Sequence, residues 1–198
     1  MKPTEILSEE HRIIEQVLDC LERMAQDCAA QGRLDATAAG QTLEFLRDFA
    51  DRCHHGKEET HLFPAMEAKG FVRDGGPTGV MLYEHEQGRT HIRGMAEVID
   101  DARAGKSEAV AQFVHHARAY VALLREHIEK EDHCLFAMAN QALSPEDQQR
   151  LLEAFHSVDD ELLGRATHER LLAMAKDLAG RFDRSRGASG VGCCGQGA

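Results

Sequence analysis

Tryptophan is absent from this 198-residue chain, tyrosine occurs twice, proline four times, and aromatic residues make up only 5%. Aromatic and β-branched residues are too few to furnish the faces of an extended sheet, and so few prolines leave long helices uninterrupted. No run approaches the roughly 18 consecutive apolar residues that a membrane span requires. The N-terminal stretch MKPTEILSEEH is charged and has no apolar core of the kind a secretory signal carries. Positive charge is also in deficit: 23 Lys and Arg against 34 Asp and Glu give a net charge of −11, which argues against a nucleic-acid backbone as partner. The six cysteines lack the spacing of a disulfide framework and read as thiols of a reducing compartment. A cytoplasmic location is the expectation.

The residues in good supply are helix formers, and apolar positions recur at intervals of three and four, so the predicted class is all-α. A first helix is expected over about residues 4–31, with Leu7, Ile14, Leu18, Leu21 and Ala25 on one stripe and Gly32 as its stop. A second is expected over about 35–69, with Leu43, Leu46, Ala50, Cys53 and Phe63 inward and Pro64 as a kink or an end. The third, over about 77–104, starts on Pro77 and carries Met81, Leu82, His85, Ile92, Met95 and Ile99. The fourth begins at Ser107 as its cap and carries Phe113, Ala117, Tyr120, Leu124, His127, Glu131 and Leu135. Four such helices with short connections predict an antiparallel up-down bundle over residues 1–142. Two shorter helices, near 145–161 and 165–182, form an extension (143–182) that covers a side or end of the bundle or supplies a homodimer surface. The Gly- and Ser-rich remainder, 183–198, is expected to be flexible.

Twelve histidines are the unusual count, and position decides what they mean. On the predicted inner stripes stand His11 from the first helix, His54 and Glu58 from the second, His85 from the third, and His127 and Glu131 from the fourth. Both His-x-x-x-Glu pairs place their two side chains on one helix face. The set repeats: 43 residues separate His11 from His54, and 42 separate His85 from His127. Six polar side chains facing a bundle core carry a heavy desolvation penalty unless cations offset it. Imidazole with carboxylate suits iron, with manganese or zinc as competitors, and two glutamates from opposite helices can each bridge a pair of metals.

The words carrying these residues, EEHRIIE, CHHGKEETHLFP, YEHEQGR and EHIEKEDHCLFA, resemble the hemerythrin-like, or HHE cation-binding, family over roughly residues 1–140. The resemblance implies two iron ions, bridged by carboxylates and an oxo or hydroxo group. It selects His54 over His55, because the family word reads His-x-x-Lys-Glu-Glu; His55 and Glu59 are then expected one step round the helix. Oxygen-carrying members have a histidine where this chain has Arg89, and an aspartate at the place of Asp132. The four-His, two-Glu set is more similar to the metal domain of proteins that repair iron centres after nitric oxide or oxidative damage. That similarity implies Glu58 and Glu131 as bridges, with His11 and His127 on one iron and His54 and His85 on the other.

Cys53 and Cys134 are expected near the site as small packing residues, Glu84 beside its entrance, and Cys193-Cys194 as a relay, a metal-delivery pair or an intermolecular disulfide. His61, His91, His115, His116, His133, His156 and His168 read as solvated or packing residues. Three functions remain open: a di-iron protein that binds or reacts with dioxygen, peroxide or nitric oxide; an iron store or sensor; and a metal-free structural bundle.

Overall fold

The computed structural model describes residues 1–158 and 164–188, and among these it holds six helices and no strand. Helix α1 spans Pro3–Gln31. Helix α2 covers residues 36–67 and changes its winding on the way. It is α-helical over Ala36–Phe45, π-wound over Leu46–His55 and Glu58–Leu62, and α-helical again over Phe63–Glu67. Helix α3 spans Pro77–Arg103. Helix α4 covers residues 107–142, with a π-wound turn, Glu131–Leu135, between Ser107–Lys130 and Phe136–Ala142. Helices α5 (Pro145–Val158) and α6 (Arg165–Ala188) follow.

The stops and starts follow local chemistry. Gly32 takes a left-handed φ of 66° and gives its N–H to the Cys28 carbonyl, closing α1. Asp35 caps α2 by accepting from the Ala38 N–H at 3.1 Å. Before α3 the loop folds so tightly that a Cβ on Gly76 would lie 1.7 Å from the Val72 carbonyl oxygen, so only glycine fits. Ser144 and Asp147 cap α5 reciprocally, at 3.2 and 2.9 Å. Ser107, expected as a cap, is instead the first residue of α4; Lys106 holds the cap position without a side-chain bond.

Helices α1 to α4 form the up-down bundle, α3 packing on α4, α1 on α4, α2 on α3 and α1 on α2. Two apolar clusters fill it. The larger includes Ile14, Leu18, Leu21, Leu46, Phe49, Phe113, Tyr120 and Leu124, and α6 joins it through Leu171, Ala175 and Leu178. The smaller gathers Leu7, Leu62, Phe63, Met66, Met81, Leu135 and Phe136, and α5 joins it through Leu151 and Phe155. The two C-terminal helices therefore divide their work. α6 lies along α1 and α2, while α5 seals the end where α1 starts and α2 and α4 finish. Phe182 packs against the larger core, and α6 continues to Ala188, past the boundary at 182 that composition suggested. Cys193 and Cys194 lie outside the described residues. No described helix is long and apolar enough to cross a membrane.

Phe155 is fully buried, and truncating a buried phenylalanine costs about 3–5 kcal/mol. We therefore expect Phe155→Ala to lower the denaturant midpoint of the metal-free protein by that equivalent. A loss under about 1 kcal/mol would show that α5 is not part of the folded core.

Candidate metal centre

Between the two apolar clusters the bundle turns polar. His11, His54, Glu58, His85, His127 and Glu131 all lie there, each with at most 1% exposure. Each carboxylate sits between imidazoles of the two hairpins, α1–α2 and α3–α4. Glu58 lies 3.7 Å from His54 Nε2 and 3.5 Å from His85 Nε2. Glu131 lies 3.2 Å from His11 Nε2 and 3.3 Å from His127 Nε2. Yet among the described residues neither oxygen of Glu58 nor of Glu131 accepts a hydrogen bond, and His11 Nε2 is likewise unmatched. Four buried carboxylate oxygens without a donor are costly, and cations are the partners that this donor set suits.

The donors fall into two groups. One set of donor atoms, from His11, His54, Glu58 and Glu131, lies within 4.8 Å of one another; a second comes from His55, Glu58, His85 and His127. His85 and His127 bring their Nε2 atoms to 3.1 Å, and the His11 and His54 rings meet edge-on at 4.6 Å. This differs from the pairing that the family resemblance implied, His11 with His127 and His54 with His85. The carboxylate contacts follow the implied pairing instead: Glu131 meets His11 and His127, and Glu58 meets His54 and His85.

His55 is the larger departure. It is 4% exposed and its ring stacks on that of His85 at 3.7 Å, inside the cluster and not a step outside it. Regular α-helical winding would turn it about 100° from His54. The π winding of Leu46–His55 bonds each N–H to the fifth carbonyl back, which puts more residues in each turn and less rotation between neighbours. Both histidines then face inward.

Every one of the five imidazoles has its Nδ1 on a carboxylate, and every such carboxylate meets a cation. His11 is held by Asp132 at 2.9 Å, which pairs with Arg12 and accepts from Ser8. His54 is held by Glu10 at 2.9 Å, which pairs with Lys57. His85 is held by Glu59 at 2.7 Å, and Glu59 by Arg89 at 2.7 Å. His127 is held by Glu84 at 2.9 Å, which pairs with Lys130. His55 meets Asp51 at 3.4 Å, and Arg89 reaches Asp51 too, at 2.9 Å. Such partners fix the ring orientation and leave Nε2 free to face inward. Glu84 thus orients His127, where sequence alone placed it at an entrance, and Arg89 supports the histidines from outside.

Charge inside the cluster is unevenly shared. Burial, reinforced by neighbouring positive charge, holds His54 and His85 well below the usual imidazole range, so both are neutral donors. Burial opposes protonation of His127 as well, but Glu131 and Glu84 outweigh it and push its pKa up to about 9. Burial, and then the charge of Glu131, raises Glu58 well above the usual carboxylate range. Glu131 goes the other way: burial would raise it, but His127 and His11 hold it well below.

Glu10, Lys57, Glu84 and Lys130 were not singled out as a bracing set from sequence, though a signal was present. The words Glu-His (10–11 and 84–85) and His-x-x-Lys-Glu-acid-x-x-Leu-Phe (54–63 and 127–136) recur, the second at an offset of 73 residues. Even the aromatic positions match: Phe136 stacks on His11 at 5.5 Å and Phe63 on His85 at 5.9 Å.

Residues 2–139 match the hemerythrin HHE cation binding domain, well over half of the chain. The chain belongs to the hemerythrin HHE cation-binding family. Relatives include uncharacterized proteins of Mycobacterium bovis and Mycobacterium tuberculosis, each 23% identical over 182 residues, with 88% of this chain and 68% of the relative covered. No solved structure matches the chain. The family match and the donor cluster agree on a metal-binding HHE domain.

The repeat also sets up an internal comparison. Lys57 and Lys130 occupy equivalent positions and pair with equivalent glutamates, yet Lys57 is fully buried and Lys130 is 42% exposed. Removing one partner of a buried pair costs about 3–5 kcal/mol, whereas an exposed pair is worth about 0–1. Lys57→Met should therefore destabilise the metal-free protein by the larger amount and Lys130→Met by the smaller, measured by denaturant unfolding. Equal effects would show that burial does not set the strength of these braces.

Proposed function

We propose that this HHE domain is a non-haem di-iron protein that binds or reacts with a small oxidant: dioxygen, peroxide or nitric oxide. The observation that best supports it is the placement of Glu58 and Glu131, two buried carboxylates that each lie between imidazoles of both hairpins. His11, His54, His85 and His127 would hold two irons, with both glutamates shared between them. Iron held there would supply positions open to a diatomic or peroxide and a reservoir of one or two electrons. The chain's own residues do the rest. The carboxylates on each Nδ1 hold the ring proton there and keep the tautomer that points Nε2 inward. Phe63 and Phe136, both buried, cover the His85 and His11 rings and keep water from that side. With every donor almost fully buried, the centre suits a small molecule and not a bulky substrate.

One observation favours a second reading, an iron sensor without turnover. Phe63 and Phe136 belong to the same apolar cluster as Leu151 and Phe155 of α5, so a shift at the centre bears directly on a helix outside the bundle. Sustained consumption of peroxide or nitric oxide favours the first reading. An iron-dependent change in α5 exposure without turnover favours the second.

Anaerobic loading with ferrous iron should saturate near two per chain, and Glu58→Ala and Glu131→Ala should each lose both metals. On admission of air the loaded protein should gain near-ultraviolet absorption that persists when oxygen is removed. Saturation at one or zero, or a full pair retained in either glutamate variant, would overturn the shared-carboxylate reading.

A further inference from the structure

We infer that His55 is a third imidazole donor for the position built by His85 and His127, so the two metal positions are chemically unequal. The inference rests on the two-metal reading above and deepens it. One position offers His11, His54, Glu58 and Glu131; the other offers His55, His85, His127 and Glu58.

Three observations carry it. A ring nitrogen of His55 lies within 4.8 Å of donor atoms of Glu58, His85 and His127, and the residue is 4% exposed. Its Nδ1 is braced like that of the other four histidines, by Asp51, which Arg89 in turn holds. A ring that served only to pack against His85 would need neither brace. Finally, His55 is where the internal repeat breaks. Its equivalent in α4 is Ile128, and that of Asp51 is Leu124, both buried apolar residues. The winding breaks at the same place: Leu46–His55 is π-wound, whereas the corresponding residues of α4 lie within the α-helical Ser107–Lys130. The π turns Glu58–Leu62 and Glu131–Leu135, by contrast, match residue for residue. One half of the repeat has thus acquired an extra imidazole, its carboxylate and the winding that turns it inward.

The consequence is a difference in donor set. With both carboxylates shared, two imidazoles leave one position harder and suited to a trivalent ion, whereas the third neutral imidazole suits the other to a divalent one. Reduction of a loaded centre should therefore begin at the three-imidazole position.

The test compares wild type, His55→Phe and His54→Phe, loaded anaerobically with iron-57, by stepwise titration and Mössbauer spectroscopy. Wild type should take two irons and show two distinct quadrupole doublets of equal area. His55→Phe keeps a ring to stack on His85 but removes the donor. It should weaken one binding step on the order of 100-fold and shift one doublet only, since even losing a group that merely supports a ligand costs about 10–100-fold. His54→Phe should perturb the other doublet. Should His55→Phe not fold, His55→Gly with added imidazole gives the same readout: the lost step returns when free imidazole fills the gap. Failure of wild type to bind two metals would overturn the two-metal reading itself. Two irons in wild type, with both steps and both doublets unchanged in His55→Phe, would leave that reading standing and overturn the role of His55. So would a defect in His55→Gly that free imidazole does not repair.

Discussion

The fold turns on the cost of keeping two carboxylates, Glu58 and Glu131, buried at the centre of a helical bundle where, among the described residues, none of their four oxygens accepts a hydrogen bond. Burying a carboxylate costs several kcal/mol, a large share of what a domain of this size has in reserve. Everything around the pair offsets that cost or holds it in place. Imidazoles converge on the carboxylates from all four bundle helices, and apolar clusters close the space above and below. The C-terminal helices complete those clusters, α6 the larger and α5 the smaller.

The imidazoles depend on an outer ring of charge. The bonds cross between helices: Asp132 of α4 reaches His11 of α1, Glu10 of α1 reaches His54 of α2, Glu59 of α2 reaches His85 of α3, and Glu84 of α3 reaches His127 of α4. Each helix thus orients a ring on the next, and the last returns to the first. Because the polar groups at the centre are satisfied only when all four helices are in register, this circuit selects one arrangement of the bundle over shifted alternatives.

Much of this was legible in the sequence. The apolar stripes of α1 to α4 gave the bundle, because 3.6-residue periodicity survives in long helices with little competing signal. The six centre residues could be chosen because the interval from His11 to His54 nearly equals that from His85 to His127. His55 could not, because the argument against it assumed α-helical rotation and nothing in LRDFADRCHH announces a π turn. Which histidines share a metal was beyond the sequence for a different reason: the rings that meet and the rings that share a carboxylate are set by packing between helices. The bracing carboxylates were hidden because Glu and Lys abound on helix surfaces, and only their repetition at matched positions separates them from solvated charge. Whether α5 covered a side or an end was also beyond periodicity, since Leu151 and Phe155 mark a buried face without saying what it meets.

Arg89 draws these threads into one residue. Its guanidinium bonds both Asp51 and Glu59, and through them steadies His55 and His85, two rings that stack on each other. The braces of His11 and His54 run separately, to Arg12 and to Lys57. The centre is therefore modular in an evolutionary sense. A lineage that changes residue 89 alters the basicity and freedom of two imidazoles on one side at once, and leaves the other side as it was. A lysine there would supply one point charge in place of a planar fork and could not hold two carboxylates in fixed relation. Variation at this one position, in the half-exposed seam between α2 and α3, gives natural selection a dial for half of the site without touching any donor.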